Sequence, residues 1–224
     1  ALITYLLDNN VKKLYLVTRD KSKKIDVTKD VELIDYNDLE KIEAVYGIKK
    51  EDITSFSANV NPLGISYKLR EGLMEHIDAI TTYPDREYTA LRKALSSYTG
   101  ADFEDIMVGN GSTELISLFI QITAPKKALL FAPTYSEYER ELELCGGTFS
   151  YYTLDEKNDF ELDLTDFTKN LKEDIDLLIL CNPNNPTSSA IQNQTMRQIL
   201  EICKRNHTYV LVDETYVEFT EDIS

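Results

Sequence analysis

The sequence has no tryptophan, and only two histidines and three cysteines among its 224 residues. Cys145, Cys181 and Cys203 are odd in number, widely spaced and without a CxxC pair, which excludes a disulfide framework or a cysteine-rich zinc site. His76 and His207 show no HxxxH or HExxH spacing, so metal catalysis lacks its usual ligands and no metal is expected. Positive charge is also short: 24 Lys and Arg face 39 Asp and Glu, a net charge of −15. A surface that acidic repels phosphate backbones and anionic lipid, so neither nucleic acid nor a membrane surface is an expected partner. The deficit is uneven, because residues 1–30 carry +3 and the remainder carries −18. No apolar run reaches the ~20 residues needed to cross a bilayer, and the opening residues lack the basic, apolar, small order of a secretory signal. These absences lead to the expectation of a soluble, cytoplasmic protein kept reduced.

The chain does contain enough apolar residues for a core, 42% by composition, and a regular grammar in which to place them. Lys13–Thr18 alternates like a strand, Val31–Ile34 is a second short apolar run, and Asn37–Tyr46 has helical spacing closed by Gly47. Phe56–Ser66 is rich in Asn, Pro and Gly and reads as an extended loop. From there the periodicity predicts helices over Lys68–Ile77, Tyr88–Tyr98, Ser112–Ile122, Ser136–Cys145, Asp163–Leu171 and Asn193–Arg205. Strands are predicted over Asp105–Val108, Ala128–Phe131, Thr148–Thr153, Asp176–Cys181 and Tyr209–Val212. Alternation of this kind implies βα units, a mostly parallel sheet and helices on both faces.

In open α/β sheets ligands collect beyond the carboxyl ends of the strands, and four places there carry chemistry. Gly109-Asn110-Gly111-Ser112-Thr113-Glu114 runs through two glycines into a helix whose first amides and hydroxyls suit a phosphate, or simply cap the helix. It is neither a complete GxGxxG fingerprint nor a Walker loop. Ala132-Pro133-Thr134-Tyr135 sets an aromatic ring just past a strand, where it can stack on a planar group or merely pack. Cys181-Asn182-Pro183-Asn184-Asn185-Pro186-Thr187 makes a rigid turn that presents side-chain amides. Asp213-Glu214-Thr215-Tyr216 puts an acid at the end of a buried strand, which is costly unless the acid meets a cation or several donors.

In this order and spacing the segments FSANVNPLG, YPD, GNGSTELI, APTYSEYER, CNPNNPT and VDETYVEF resemble the fold-type I pyridoxal-phosphate enzymes. Within them the similarity is to the class I/II branch that holds histidinol-phosphate aminotransferase and threonine-phosphate decarboxylase. The resemblance runs from about Tyr46 to the chain end. It implies an α/β fold, the three-layer α/β/α large domain of aspartate aminotransferase type, and pyridoxal 5′-phosphate as cofactor. It further implies a phosphate cup at Ser112 and Thr113, a stacking ring at Tyr135, and hydrogen bonds from Asn185 and Tyr216 to the ring hydroxyl oxygen. Asp213 would pair with the protonated pyridine nitrogen and so, with Tyr216, carry the catalysis. Tyr83 would reach the phosphate held by a neighbouring subunit, which makes a homodimer the expected state, and Asn59 and Asn61 would belong to an arm over a small amino substrate. The expected organisation is an amino-terminal extension or tail of an upstream domain over 1–45, an arm over 46–70 and a partial cofactor-binding domain over 71–224.

Departures from the pattern stand beside these matches. The family usually continues NPTG where this chain has Thr187-Ser188, and DEAY where it has Thr215; both read as small exchanges that leave the contacting residues intact. The lysine that holds the cofactor covalently, expected in an SxSK-type segment after the Asp-x-x-Tyr strand, has no counterpart, since no lysine follows Lys204. The expectation is a fragment of an aminotransferase acting on an amino acid or phosphorylated amino compound, inactive alone. The alternatives are a threonine-phosphate decarboxylase-like enzyme, which FSANVNPLG resembles more, a catalytically dead binding module, or another α/β phosphate-binding domain.

Overall fold

The computed structural model describes residues 14–18, 31–35, 43, 47, 49, 59, 61 and 63–220, and the chain divides into two units, 1–84 and 85–224. In the first unit β1 (Leu14–Thr18) and β2 (Val31–Asp35) pair in parallel, Leu14 opposite Val31. The sequence pattern predicted the first as a strand, read the second only as a short apolar run, and did not predict their pairing. Most of the helix expected over 37–46 lies outside the described residues. Gly47, its expected terminator, takes φ +66° and donates its N–H to the Glu43 carbonyl at 3.0 Å. Helix α1 (Tyr67–Glu75) starts at Ser66, whose hydroxyl accepts from the Leu69 N–H, and is followed by a short 3₁₀ turn over Ile77–Thr81.

The second unit opens with α2 (Thr89–Thr99), where Asp85 accepts the backbone N–H groups of Glu87 at 3.0 Å and Thr89 at 2.8 Å, so the aspartate of the YPD motif ties down a helix entry. After it come α3 (Gly111–Thr123), β3 (Lys127–Ala132), α4 (Glu137–Leu144), β4 (Thr148–Thr153), α5 (Leu164–Asn170), β5 (Leu177–Cys181), α6 (Asn193–Asn206) and β6 (Tyr209–Asp213). The four strands form one all-parallel sheet in the order β4-β3-β5-β6. Predicted and observed boundaries agree to within a residue or so, with one exception. Asp105–Val108 is not a strand: Phe103–Asp105 is a 3₁₀ turn and Ile106–Gly109 joins no ladder. A strand exists by its partner, and no described strand runs beside this segment; Met107 is 53% exposed.

Alternate residues of β3 and β5 point to opposite faces and so divide the core in two. Leu129, Phe131, Leu178 and Leu180 pack with Phe167 of α5 and with Ile199 and Cys203 of α6. Ala128, Leu130, Leu177, Ile179 and Cys181 pack with Ile116 and Ile120 of α3 and with Tyr138 and Leu142 of α4. Helices therefore cover both faces, and the three layers expected from the pattern are present. Every residue of β5 is buried, as a strand covered on both sides should be. Rings of Phe131, Tyr152 and Phe167 meet edge-on or tilted at 5.3–5.6 Å, which stiffens the β3–β4–α5 corner.

The amino ends of the strands are tied by side chains. Asp176 Oδ2 accepts the N–H groups of Lys126 at 2.9 Å and Lys127 at 3.0 Å, and the Thr208 hydroxyl donates to the Ile175 carbonyl at 2.8 Å. Among the described residues no helix is long and apolar enough to cross a membrane, and no group of His, Cys, Asp or Glu is placed to hold a metal ion.

Candidate functional site

At the carboxyl ends of β3, β5 and β6 lies a cleft of ≈ 180 Å³ lined by Ser112, Tyr135, Cys181, Asn185, Asp213, Thr215 and Tyr216. Five of these residues were singled out from sequence for this site. Thr113 is exposed and is not among the lining residues. Tyr83, Asn59 and Asn61 belong to the first unit. Asn61 closes a local turn, its amide donating to the Gly64 carbonyl at 3.0 Å and its oxygen accepting from the Leu63 N–H at 3.0 Å.

Each wall has a local cause. Gly111 takes φ +79°, a conformation that glycine supplies without a Cβ clash, and opens α3 so that Ser112 and Thr113 fall in its first turn. Their N–H groups are among those left without intrahelical partners, and the helix dipole adds partial positive charge. The Glu114 carboxylate reaches back to the Asn110 N–H and secures the turn. Gly109 allows the chain to pass closely, since a Cβ there would stand 2.9 Å from Leu115 Cδ2. Tyr135, half-buried, packs edge-on against Tyr138 with ring centroids 5.6 Å apart.

The Asn-Pro loop is organised from inside. Asn182, 1% exposed, donates its amide to the Ile191 carbonyl at 3.2 Å and accepts the Ile191 N–H at 2.7 Å, replacing the ladder that the loop gives up. Asn184 turns its amide to the Pro133 carbonyl at 2.9 Å and the Thr187 hydroxyl at 2.8 Å. These two amides, expected to be presented outward, are structural, and only Asn185 faces the cleft. Ser188 holds φ +61°. The exchange of glycine for serine at that position, read from sequence as minor, therefore places a side chain in the left-handed region.

Asp213 is 9% exposed and stays buried because donors surround it. Oδ2 accepts the Tyr138 hydroxyl at 2.6 Å, while Oδ1 accepts the Thr215 N–H at 3.0 Å and the Thr215 hydroxyl at 2.6 Å. Burial, with the adjoining Asp213 and Cys181, holds the Tyr138 hydroxyl far above the ordinary phenol range, so it remains a donor. Burial likewise pushes up the Cys181 thiol and the Glu214 carboxyl. Thr215 is thus a contacting residue, contrary to its reading as a neutral exchange. Tyr138 was missed as well.

A carboxylate has acceptor directions for about four donors. With Oδ1 holding two and Oδ2 one, the remaining direction is on Oδ2, and the residue itself lines the cleft. A buried anion, an aromatic wall, a side-chain amide and the start of a helix suit a planar, phosphorylated, protonatable ring. The family description "Aminotransferase class I and II" matches residues 51–223. The chain belongs to this family.

The class is one of pyridoxal 5′-phosphate-dependent enzymes of aspartate aminotransferase fold. The chain is 33% identical over 176 residues to the threonine-phosphate decarboxylase of Salmonella typhimurium, covering 78% of this chain and 48% of that protein. It is 30% identical over 185 residues to the histidinol-phosphate aminotransferase of Methanocaldococcus jannaschii, covering 81% and 49%. Among solved structures it resembles the histidinol-phosphate aminotransferase from Clostridium acetobutylicum with TM-score 0.67 and 30% identity, over 77% of this chain and 50% of that one. The chain spans about half the length of the curated relatives it matches. The expected family, fold and cofactor are those found.

Proposed function

We propose that this chain forms the cofactor-binding part of a pyridoxal 5′-phosphate-dependent aminotransferase of histidinol-phosphate aminotransferase kind, acting on an amino acid or phosphorylated amino compound. The observation that carries the reading is the convergence of Ser112, Tyr135, Asn185, Asp213 and Tyr216 on one cleft. When bound, the cofactor supplies a cationic ring that accepts the electrons released at the substrate α-carbon. Asp213 holds the proton on the pyridine nitrogen, and its fixed negative charge favours the protonated ring. Asn185 and Tyr216 orient the ring through its hydroxyl oxygen, Tyr135 covers one face, and Ser112 and Thr113 bind the phosphate at the start of α3. Asn59 and Asn61 contribute to the arm over the substrate. Tyr83 serves the phosphate of a partner subunit in a cytoplasmic homodimer.

Decarboxylation of a phosphorylated amino acid is the second reading, favoured by the 33% identity to a threonine-phosphate decarboxylase. Both reactions use the same ring contacts and differ in which α-carbon bond stands perpendicular to the ring. The deciding assay uses the natural protein that carries this sequence, supplied with cofactor. Amino transfer from histidinol phosphate to an oxo acid supports the first reading, and carbon dioxide release from threonine phosphate supports the second. Retention of activity near the unsubstituted level by Asp213→Ala would refute the assignment common to both.

A further inference from the structure

The carboxylate of Asp213 is held at both oxygens, and the two holders come from different elements. Tyr138, on α4 and fully buried, donates to Oδ2 at 2.6 Å; Thr215, two residues past β6, donates twice to Oδ1, at 3.0 Å from its N–H and 2.6 Å from its hydroxyl. An aspartate with one anchored oxygen can still swing about its Cβ–Cγ bond, whereas one anchored at both cannot without breaking a charge-assisted bond. We infer that Tyr138 and the Thr215 hydroxyl are positioning residues that fix the plane of the Asp213 carboxylate so that its remaining Oδ2 direction meets a ring N–H in the cleft.

The phenol ring of Tyr138 is packed against Tyr135, another cleft wall, at 5.6 Å between centroids, so one side chain aligns both the aromatic face and the anion. The Thr215 hydroxyl adds a donor that an alanine in its place could not give. Neither residue needs to touch the ring.

This inference rests on the proposed pairing of Asp213 with a pyridine nitrogen, and the test separates the two. The natural protein that carries this sequence, stripped of cofactor, is titrated with pyridoxal 5′-phosphate and with its 1-deaza analogue, which lacks that nitrogen, and the two dissociation constants are compared. The unsubstituted chain is expected to prefer the natural compound, and Asp213→Asn to lose that preference. Tyr138→Phe and Thr215→Ala, with thermal melts confirming that each is folded, should each lower the preference by on the order of tenfold, the scale of a hydrogen bond to a charged group. A purely structural role would weaken both compounds alike and leave their ratio intact. An unchanged ratio in both variants, with Asp213→Asn still losing it, would overturn the positioning role and leave the proposed function standing. Equal binding of the two compounds by the unsubstituted chain, or binding of neither, would refute the ring-nitrogen assignment and the positioning role together.

Discussion

Replacing Asn182 by alanine should cost the second unit far more than its small change in volume suggests. The side chain is 1% exposed and makes a paired contact with the backbone of Ile191, accepting its N–H at 2.7 Å and donating to its carbonyl at 3.2 Å. Alanine would leave both backbone groups buried without these partners. Each such group costs about 1–3 kcal/mol, so a loss of about 3 kcal/mol is expected, partly offset if water enters. For a domain of this size that corresponds to a fall in Tm of roughly 6–12 °C. Asn182→Asp should be no better, because a second carboxylate oxygen would face the Ile191 carbonyl and a charge would be buried. Urea unfolding followed by far-ultraviolet circular dichroism gives the number directly, with an exposed asparagine such as Asn158→Ala as reference. A loss below about 1 kcal/mol for Asn182→Ala would refute the argument that this amide replaces backbone pairing.

Three further outcomes are expected. Ser188→Gly should stabilise the chain by about 0.5–1 kcal/mol in the same urea assay, because φ +61° is a conformation that glycine adopts without strain; a loss of stability would show that the serine side chain has an unrecognised role. Burial pushes the Cys203 thiol up to about 11, so above about pH 9 the unfolded chain releases that proton first, the folded state holds more protons, and stability falls as pH rises towards 11. Cys203→Ala should flatten that fall between pH 9 and 11, and an unchanged slope would count against it. Among the described residues no lysine lines the cleft, so borohydride reduction of this chain with pyridoxal 5′-phosphate should label surface lysines diffusely. Label concentrated on one lysine and blocked by substrate amine would contradict the expectation that the chain is inactive alone.

The layers and strand positions were legible because a sheet buried on both faces writes itself as short apolar runs, as in Leu177–Cys181, and because Gly, Pro and Asn punctuate the intervals. Asp213 was legible for a different reason: a carboxylate following a buried strand demands donors, and the demand could be read before the donors were known. Their identities could not. Tyr138 precedes Asp213 by 75 residues, and nothing local distinguishes it from thirteen other tyrosines. The direction of an amide is equally a property of the fold, so Asn182 and Asn184 looked like ligand groups until their carbonyl and N–H partners came into view. Asp105–Val108 failed as a strand because apolar sequence supplies a tendency and pairing supplies the structure.

The side chains that stitch the sheet together, Asp176 and Thr208, act at the amino ends of the strands, while every described residue lining the cleft belongs to a turn, strand end or helix start at the opposite rim. Changes at the cleft rim can therefore accumulate without loosening the seam that keeps neighbouring strands in register. A lineage built on such a sheet is free to exchange one reaction for another at one rim while inheriting its architecture from the other. That freedom is a physical reason why transaminases and decarboxylases can share one scaffold.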